Sequence, residues 1–247
     1  LGDVYKRQFT LYPVFHSNIK WLLWVFFLAA SLSCQSINNY SDLRSIMIED
    51  QIIKRGIEDQ RVLDIMESVE RHKFVPEKYA ESAYKDGPLP IGHGQTISQP
   101  FIVAFMTENL KVDSSHKILE IGTGSGYQAA ILSRLTNYVY TIEIVDELAK
   151  ESSSRLKKLG FKNVSVRSGD GYKGWPEEEP FDRIMVTAAP EEIPDMLVEQ
   201  LAEGGIMVIP VGKQFDIQYL WVITKEIGGS IKKEKILPVR FVPMVTK

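Results

Sequence analysis

The stretch from Lys117 to Leu132, Lys-Ile-Leu-Glu-Ile-Gly-Thr-Gly-Ser-Gly-Tyr-Gln-Ala-Ala-Ile-Leu, restricts the possible folds more than any other part of the chain. Ile118, Leu119 and Ile121 form a short apolar run, the pattern of a buried parallel strand. Gly122, Gly124 and Gly126 interrupt it, and from Tyr127 to Leu135 the apolar residues return at helical spacing. A strand, a glycine-rich turn and a helix make a nucleotide site: bare backbone lets a ligand approach, and the helix start offers unpaired N–H groups. Dinucleotide sites favour G-x-G-x-x-G. Here the glycines fall as G-x-G-x-G, Tyr127 stands where the last glycine of that pattern would be, and Glu120 precedes the turn inside the strand. A second apolar strand, Val139 to Ile142, ends at Glu143, 21 residues after Gly122. In nucleotide-binding α/β sheets an acidic residue at about that distance takes the ribose hydroxyls.

The rest of the chain alternates between strands and helices. Asp146 opens a helix to about Leu159, stopped by Gly160, and Val164 to Val166 is a third strand leading to Ser168-Gly-Asp-Gly171. Asp182 to Thr187 is a fourth strand, closed by the small residues Thr187-Ala-Ala-Pro190. Glu191 to Leu201 reads as a helix, Gly204-Gly205 as a turn and Ile206 to Val211 as a fifth strand. Tyr219 to Thr224 and Ile236 to Val242 then pair as an antiparallel hairpin around Gly228-Gly229. Two helices come first, Ser41 to Ile53 stopped by Gly56, and one capped by Asp59 and closed by Phe74-Val-Pro76. The expected fold is α/β, a doubly wound, mostly parallel seven-stranded sheet of Rossmann-like type, with N-terminal helices and an antiparallel C-terminal hairpin. Ligands of such sheets bind outside the strands' carboxyl ends, where Gly122 to Gly126, Glu143, Asp170 and Thr187 all fall. The order of the last two strands stays open.

Between the early helices and the first parallel strand, residues 84–100 hold three prolines and three glycines and show neither helical nor strand periodicity. An irregular stretch of that length inside a compact domain is functional or disordered. Leu89, Ile91 and Ile97 are apolar anchors, and Phe101-Ile-Val-Ala-Phe-Met is an evident core helix. The stretch therefore reads as a structured loop presenting Gln95, Thr96 and Ser98 beside the glycine turn.

Composition narrows the function classes. The 247 residues are 44% hydrophobic and 25% charged with net charge −3, an ordinary globular balance. No run of Lys and Arg is longer than two, so a nucleic-acid footprint is not expected. One cysteine forbids an internal disulfide, and His16, His72, His93 and His116 lack metal-ligand spacing, so no metal is expected. Residues 1–40 differ from the rest and read as an N-terminal extension to a single domain over 41–247. Lys20 precedes a 12-residue apolar run, Trp21 to Leu32, too short for a spanning helix of about 20 residues but suited to a signal-peptide core. Ala29, Ala30, Ser31 and Ser33 follow it or close it, ahead of Cys34. Two readings stand side by side: an upstream extension on a cytoplasmic enzyme, or a lipoprotein-like signal over residues 20–34 giving an exported protein with a lipid anchor. Residues 1–33 carry Lys6, Arg7 and Lys20 against Asp3, which leaves −5 for the body.

The glycine turn with Glu120 ahead of it resembles the first motif of the S-adenosyl-L-methionine (AdoMet)-dependent methyltransferases. The segment Leu89-Pro-Ile-Gly-His-Gly-Gln-Thr-Ile-Ser-Gln-Pro100 is similar to the hallmark of the protein-L-isoaspartate(D-aspartate) O-methyltransferase family, and is far more specific than the turn. Further similarities lie at Arg71-His-Lys-Phe-Val-Pro76, Gly169-Asp-Gly171, Pro180 to Pro190 and Arg240-Phe-Val-Pro243, so the resemblance covers about residues 43–245. It implies methyl transfer from AdoMet to isoaspartyl and D-aspartyl residues of damaged proteins and peptides, by a monomer. It also implies site residues. Glu120, Gly122, Thr123, Gly124, Gly126, Glu143, Asp170, Gly171 and Thr187 would hold the cofactor, with Asp170 accepting from the adenine amino group. Gln95, Thr96, Ile97 and Gln99 would hold the acceptor, and Ser98 would be the catalytic hydrogen-bond donor orienting its carboxylate. The rival readings are a methyltransferase for another acceptor and an exported binding protein that kept the fold without the catalysis.

Overall fold

The computed structural model describes residues 40–246. The possible signal and Cys34 lie outside the described residues. Helix α1 (Tyr40–Met47) passes into a π-turn at Ile48–Ile52 and a 3₁₀ turn at Ile53–Arg55, which ends at Gly56 with φ +89°. The expected continuous helix to Ile53 is thus one α segment with two tightened or widened turns. Asp59 caps α2 (Gln60–Ser68), its Oδ1 accepting from the Arg61 amide at 2.9 Å.

The proline- and glycine-rich loop is more ordered than its composition suggests. Strands β1 (Leu89–Gly92) and β2 (Gln95–Ile97) pair antiparallel, Leu89 against Ile97 and Pro90 against Thr96. Gly92, His93 and Gly94 turn the chain, all at positive φ. Strands of three and four residues are too short to carry a readable alternation, which is why the sequence shows only a loop. Helix α3 (Pro100–Leu110) follows, with proline at its first position where no donor is lost.

From there the chain builds the sheet: β3 (Lys117–Ile121), α4 (Tyr127–Leu132), β4 (Tyr138–Glu143), α5 (Asp146–Lys158), β5 (Val164–Ser168), β6 (Phe181–Val186), α6 (Asp195–Glu199), β7 (Leu201–Val211), β8 (Gln218–Lys225) and β9 (Ile231–Val239). The order is β5-β4-β3-β6-β7-β8-β9. The first five strands are parallel and the last two join antiparallel. The final strands therefore continue outward in chain order. Alternate residues of the central strands point to opposite faces. Ile118, Met185 and Val208 pack with Met106 and Leu110 of α3, while Leu119, Ile121, Ile184, Val186 and Met207 pack with Leu197 of α6. Helices cover both faces, as a parallel sheet requires.

Further elements depart from the expected bounds, among them β7, which starts at Leu201 and takes in Gly204-Gly205, expected as a turn ahead of a strand from Ile206. Helix α4 stops at Leu132, because Ser133 Oγ turns back to the Ala130 carbonyl and Asn163 Nδ2 donates to the carbonyls of Ser133 and Thr136. The helix expected from Glu191 shrinks to α6, since Pro194 occupies the position before its first turn and Leu201 is taken into β7 opposite Phe181. Strand β9 starts at Ile231, not Ile236. Its Lys232, Lys233 and Lys235 face solvent at an open sheet edge, so its first half carries no apolar signal.

Gly126 joins the turn to α4 at φ +86°, and an added Cβ would press on Leu156 of α5 at 3.1 Å. Gly126→Ala should therefore destabilise the fold by about 1–2 kcal/mol through the left-handed backbone alone. Urea denaturation measures it, and an unchanged midpoint would show that the turn relaxes without cost.

Candidate functional site

The sheet order reverses around β3, which sends the chain to β4 on one side and receives β6 on the other. Crevices open at such a point because the connections leave in opposite directions. The Thr187 amide donates to the Ile121 carbonyl at 2.9 Å, and Thr187 Oγ1 lies 2.9 Å from that oxygen and 2.7 Å from the Gly122 carbonyl. A Cβ at Gly122, which sits at φ +95°, would collide with Thr187 Oγ1. Glycine is required there by contact as well as by conformation.

Glu143 ends β4 and is 5% exposed. Its Oε2 accepts from the Gly124 amide at 2.7 Å and its Oε1 from the Val145 amide at 3.0 Å. Two backbone donors thus fix the carboxylate and tie the end of β4 to the glycine turn. A carboxylate has about four acceptor positions, so roughly two stay open for a ligand. The pocket it borders is floored by backbone at Gly122, Gly124 and Gly171, and walled by Ile142, Ile144 and Met244. Open carboxylate acceptors for a diol, beside apolar side chains and bare backbone, suit the adenosine half of AdoMet.

A second pocket adjoins the first, sharing Thr96, Gly122, Gly124 and Thr187, and adds Ile97, Ser98, Thr123 and Tyr127. Both lead to a groove lined by Gln95, Ser98, Gln99, Phe215 and Arg240 among others. Hairpin β1–β2 thus stands at the meeting of the two pockets. Gln95 and Thr96 face the first, Thr96, Ile97 and Ser98 the second, and Gln99 the groove. Gln99 also donates from Nε2 to Asp86 Oδ1 at 2.6 Å, an acid that Arg55 pairs as well.

Three expected cofactor residues sit behind the wall. Gly126 starts α4 beneath the turn. Asp170 accepts from the Tyr172 amide at 3.0 Å and so caps the short turn Gly171–Lys173, leaving Gly171 as the residue on the pocket surface. Glu120 is fully buried in β3; Thr141 Oγ1 donates to its Oε2 and lies 2.7 Å from Thr123 Oγ1, while Glu120 Oε1 has no partner. Burial, with Glu143 nearby, pushes the Glu120 carboxyl up to about 8, so it is protonated at neutral pH. Among the described residues no group of three His, Cys, Asp or Glu could hold a metal, and no helix is long and apolar enough to cross a membrane.

Two contributors carry no sequence signal as site residues. The C-terminal segment returns over the sheet end, with the Ala189 amide donating to Val242 O and the Met244 amide to Ala189 O, both at 2.8 Å. Val242, Pro243 and Met244 thereby close the first pocket. Their side chains are apolar and their chemistry unremarkable, so only the fold brings them in. Tyr127 is the other, an aromatic that its helical spacing marks simply as core.

Residues 43–247 match the family model described as protein-L-isoaspartate(D-aspartate) O-methyltransferase. A protein-L-isoaspartate O-methyltransferase of Gloeobacter violaceus is 55% identical over 198 residues, covering 80% of this chain and 96% of its own. One from Opitutus terrae is 53% identical over 200 residues, covering 81% and 85%. A crystal structure from Plasmodium falciparum, described as a protein-L-isoaspartate O-methyltransferase in complex with S-adenosyl-L-homocysteine, superposes with a TM-score of 0.72. It shares 30% sequence identity and covers 85% of this chain and 100% of its own.

The state of Glu120 gives a test by pH. Its carboxyl, ordinarily near 4.5, is raised to about 8 in the fold, so its contribution to stability is complete at acid pH. That contribution is lost as pH rises through this window, because the folded state then binds more protons than the unfolded one. Glu120→Gln has no such proton to lose. The melting temperature of the variant relative to wild type should climb between pH 5 and pH 8, as read by scanning calorimetry, and a flat difference would place the proton elsewhere.

Proposed function

The chain belongs to the protein-L-isoaspartate(D-aspartate) O-methyltransferase family and transfers a methyl group from AdoMet to the free carboxylate of isoaspartyl residues in proteins and peptides, and we propose that it does so by positioning two reactants without a general base. The observation that carries the proposal is the makeup of the second pocket. Where it meets the first it presents hydroxyl donors, Thr96 and Ser98, and no histidine or carboxylate pair. An acceptor carboxylate with a pKa near 4 is already ionised at neutral pH, so the enzyme has no proton to remove. AdoMet, when bound, supplies an electrophilic methyl on a sulfonium.

The chain's own residues do the rest. Glu143 takes the ribose hydroxyls with its free acceptor positions, while Gly122, Gly124 and Gly171 allow the cofactor to lie against backbone. Thr187 and Thr123 keep the turn in shape, and Glu120 supports Thr123 from below through Thr141. Asp170 holds the Gly171 turn against which the adenine end would lie. On the acceptor side Ser98 Oγ donates to the carboxylate and fixes its approach, with Thr96, Gln95, Ile97 and Gln99 lining its path. Near-attack geometry with water excluded is worth roughly 7–11 kcal/mol, enough for such a displacement without acid–base help. The ester formed re-closes to a succinimide, which starts repair of the damaged backbone. The enzyme acts as a monomer in the cytoplasm, where AdoMet is made. Mass spectrometry of the product expressed in bacteria tests that location, and a chain starting at a lipidated Cys34 would replace it with an anchored, exported form.

Glu143→Ala removes two charge-assisted hydrogen bonds of about 1.5–3 kcal/mol each and should weaken AdoMet binding at least about tenfold by titration calorimetry. Ser98→Ala should lower kcat on an isoaspartyl peptide and leave AdoMet affinity near wild type. The same peptide with normal aspartate should be methylated far more weakly. Equal methylation of the two peptides would defeat the assigned acceptor.

A further inference from the structure

Arg71 is the largest fully buried side chain that the reaction as described does not use, and it is 0% exposed. Its Nε donates to the Ala83 carbonyl and its Nη2 to the Ser98 carbonyl, each at 2.7 Å. These two carbonyls are the ends of the segment that carries hairpin β1–β2. Its guanidinium carbon lies 5.0 Å from the centre of the Tyr127 ring, on the first residue of α4. One planar group therefore ties both ends of the acceptor hairpin to the helix that follows the glycine turn.

The charge is unbalanced. Among the described residues no carboxylate pairs with Arg71, and its Nη1 has no partner. Only the phenols of Tyr127 and Tyr84 act on it as electrostatic neighbours. Burial lowers its pKa to about 10, so it stays a cation at neutral pH. An isolated buried charge is costly, and that cost falls when an anion comes close in the same low-dielectric surroundings. Both groups that Arg71 touches nearest the site, Ser98 and Tyr127, form the wall of the second pocket. The guanidinium thus lies one layer behind the place where a negative acceptor would sit.

We propose that Arg71 is the positioning residue of the acceptor side, clamping the ends of the 84–98 hairpin segment against α4 and favouring a carboxylate in the Ser98 pocket. The inference rests on the function given above and deepens it. Lysine cannot replace the arginine fully, because an ammonium lacks the planar fork that reaches two carbonyls while stacking on a ring. Arg71 does not itself border the cofactor pocket, which the clamped hairpin reaches only through Gln95 and Thr96, so its main effect falls on the acceptor side.

The test uses Arg71→Met, which removes fork and charge, and Arg71→Lys, which removes the fork and keeps the charge should the methionine variant fail to fold. Amide exchange over residues 84–98 should quicken by about tenfold or more in either variant, while exchange over residues 117–143 stays near wild type. AdoMet affinity by calorimetry should stay within about twofold, whereas the KM for an isoaspartyl peptide should rise at least about tenfold in Arg71→Met and less in Arg71→Lys. A purely structural arginine would instead move both ligands together. Unchanged exchange over 84–98, or AdoMet affinity falling in step with peptide affinity, overturns the proposal. Wild-type enzyme inactive on the peptide would refute the assigned acceptor instead, and exchange with AdoMet titration would still decide the clamp.

Discussion

The join between β3 and β6 fixes the site. Where the strand order reverses, Thr187 bonds through its amide and hydroxyl to the last carbonyl of β3 and through its hydroxyl to that of Gly122, drawing the two chain ends so close that position 122 has no room for a side chain. A hydrogen-bonded contact of this kind is satisfied only if the turn leaves β3 in one direction, with backbone in the left-handed region that glycine adopts freely. The amide of Gly124 is then brought to Glu143, whose carboxylate it helps to fix. Pocket floor, the fixed Glu143 carboxylate and the start of α4 thus follow from one crossing point.

The hairpin side of the site is built on a different principle. Hairpin β1–β2 has two short strands and a turn of three left-handed residues, and little of its own to hold it. Its apolar residues Ile91 and Ile97 sink into the core shared with α1 and α2, and its ends are held by a guanidinium that has no counter-charge among the described residues. The first pocket, floored by backbone, and the second, bordered by the hairpin, share four residues at their meeting line. Methyl transfer needs that arrangement, because donor and acceptor must approach on one axis with water kept out.

Buried polar groups accompany both halves. Glu120 is kept protonated beneath the turn by desolvation, and Arg71 is kept charged behind the hairpin although burial opposes it. Apolar residues of equal volume would pack in either place without a desolvation cost. Their place is explained by the polar surfaces they back, the Thr141–Thr123 pair on one side and the Ser98 carbonyl on the other.

The sequence by itself determined the sheet and its cofactor end. Short apolar strands, glycines at alternate positions and an acid 21 residues on report local backbone geometry, and such geometry is written in neighbouring residues. The specific Gly-Gln-Thr-Ile-Ser-Gln-Pro run pointed to the acceptor through resemblance, not through periodicity. Tertiary structure decided the rest. Strands as short as β1 and β2, and an edge strand as lysine-rich as β9, take their form from partners distant in sequence and leave no pattern of their own. Val242 to Met244 reach the pocket only because the chain returns over the sheet end. Arg71 looks in the sequence like one more charged residue beside a histidine. It becomes a buried cation only once Ala83, Ser98 and Tyr127 close around it, since burial belongs to the fold and not to any residue alone.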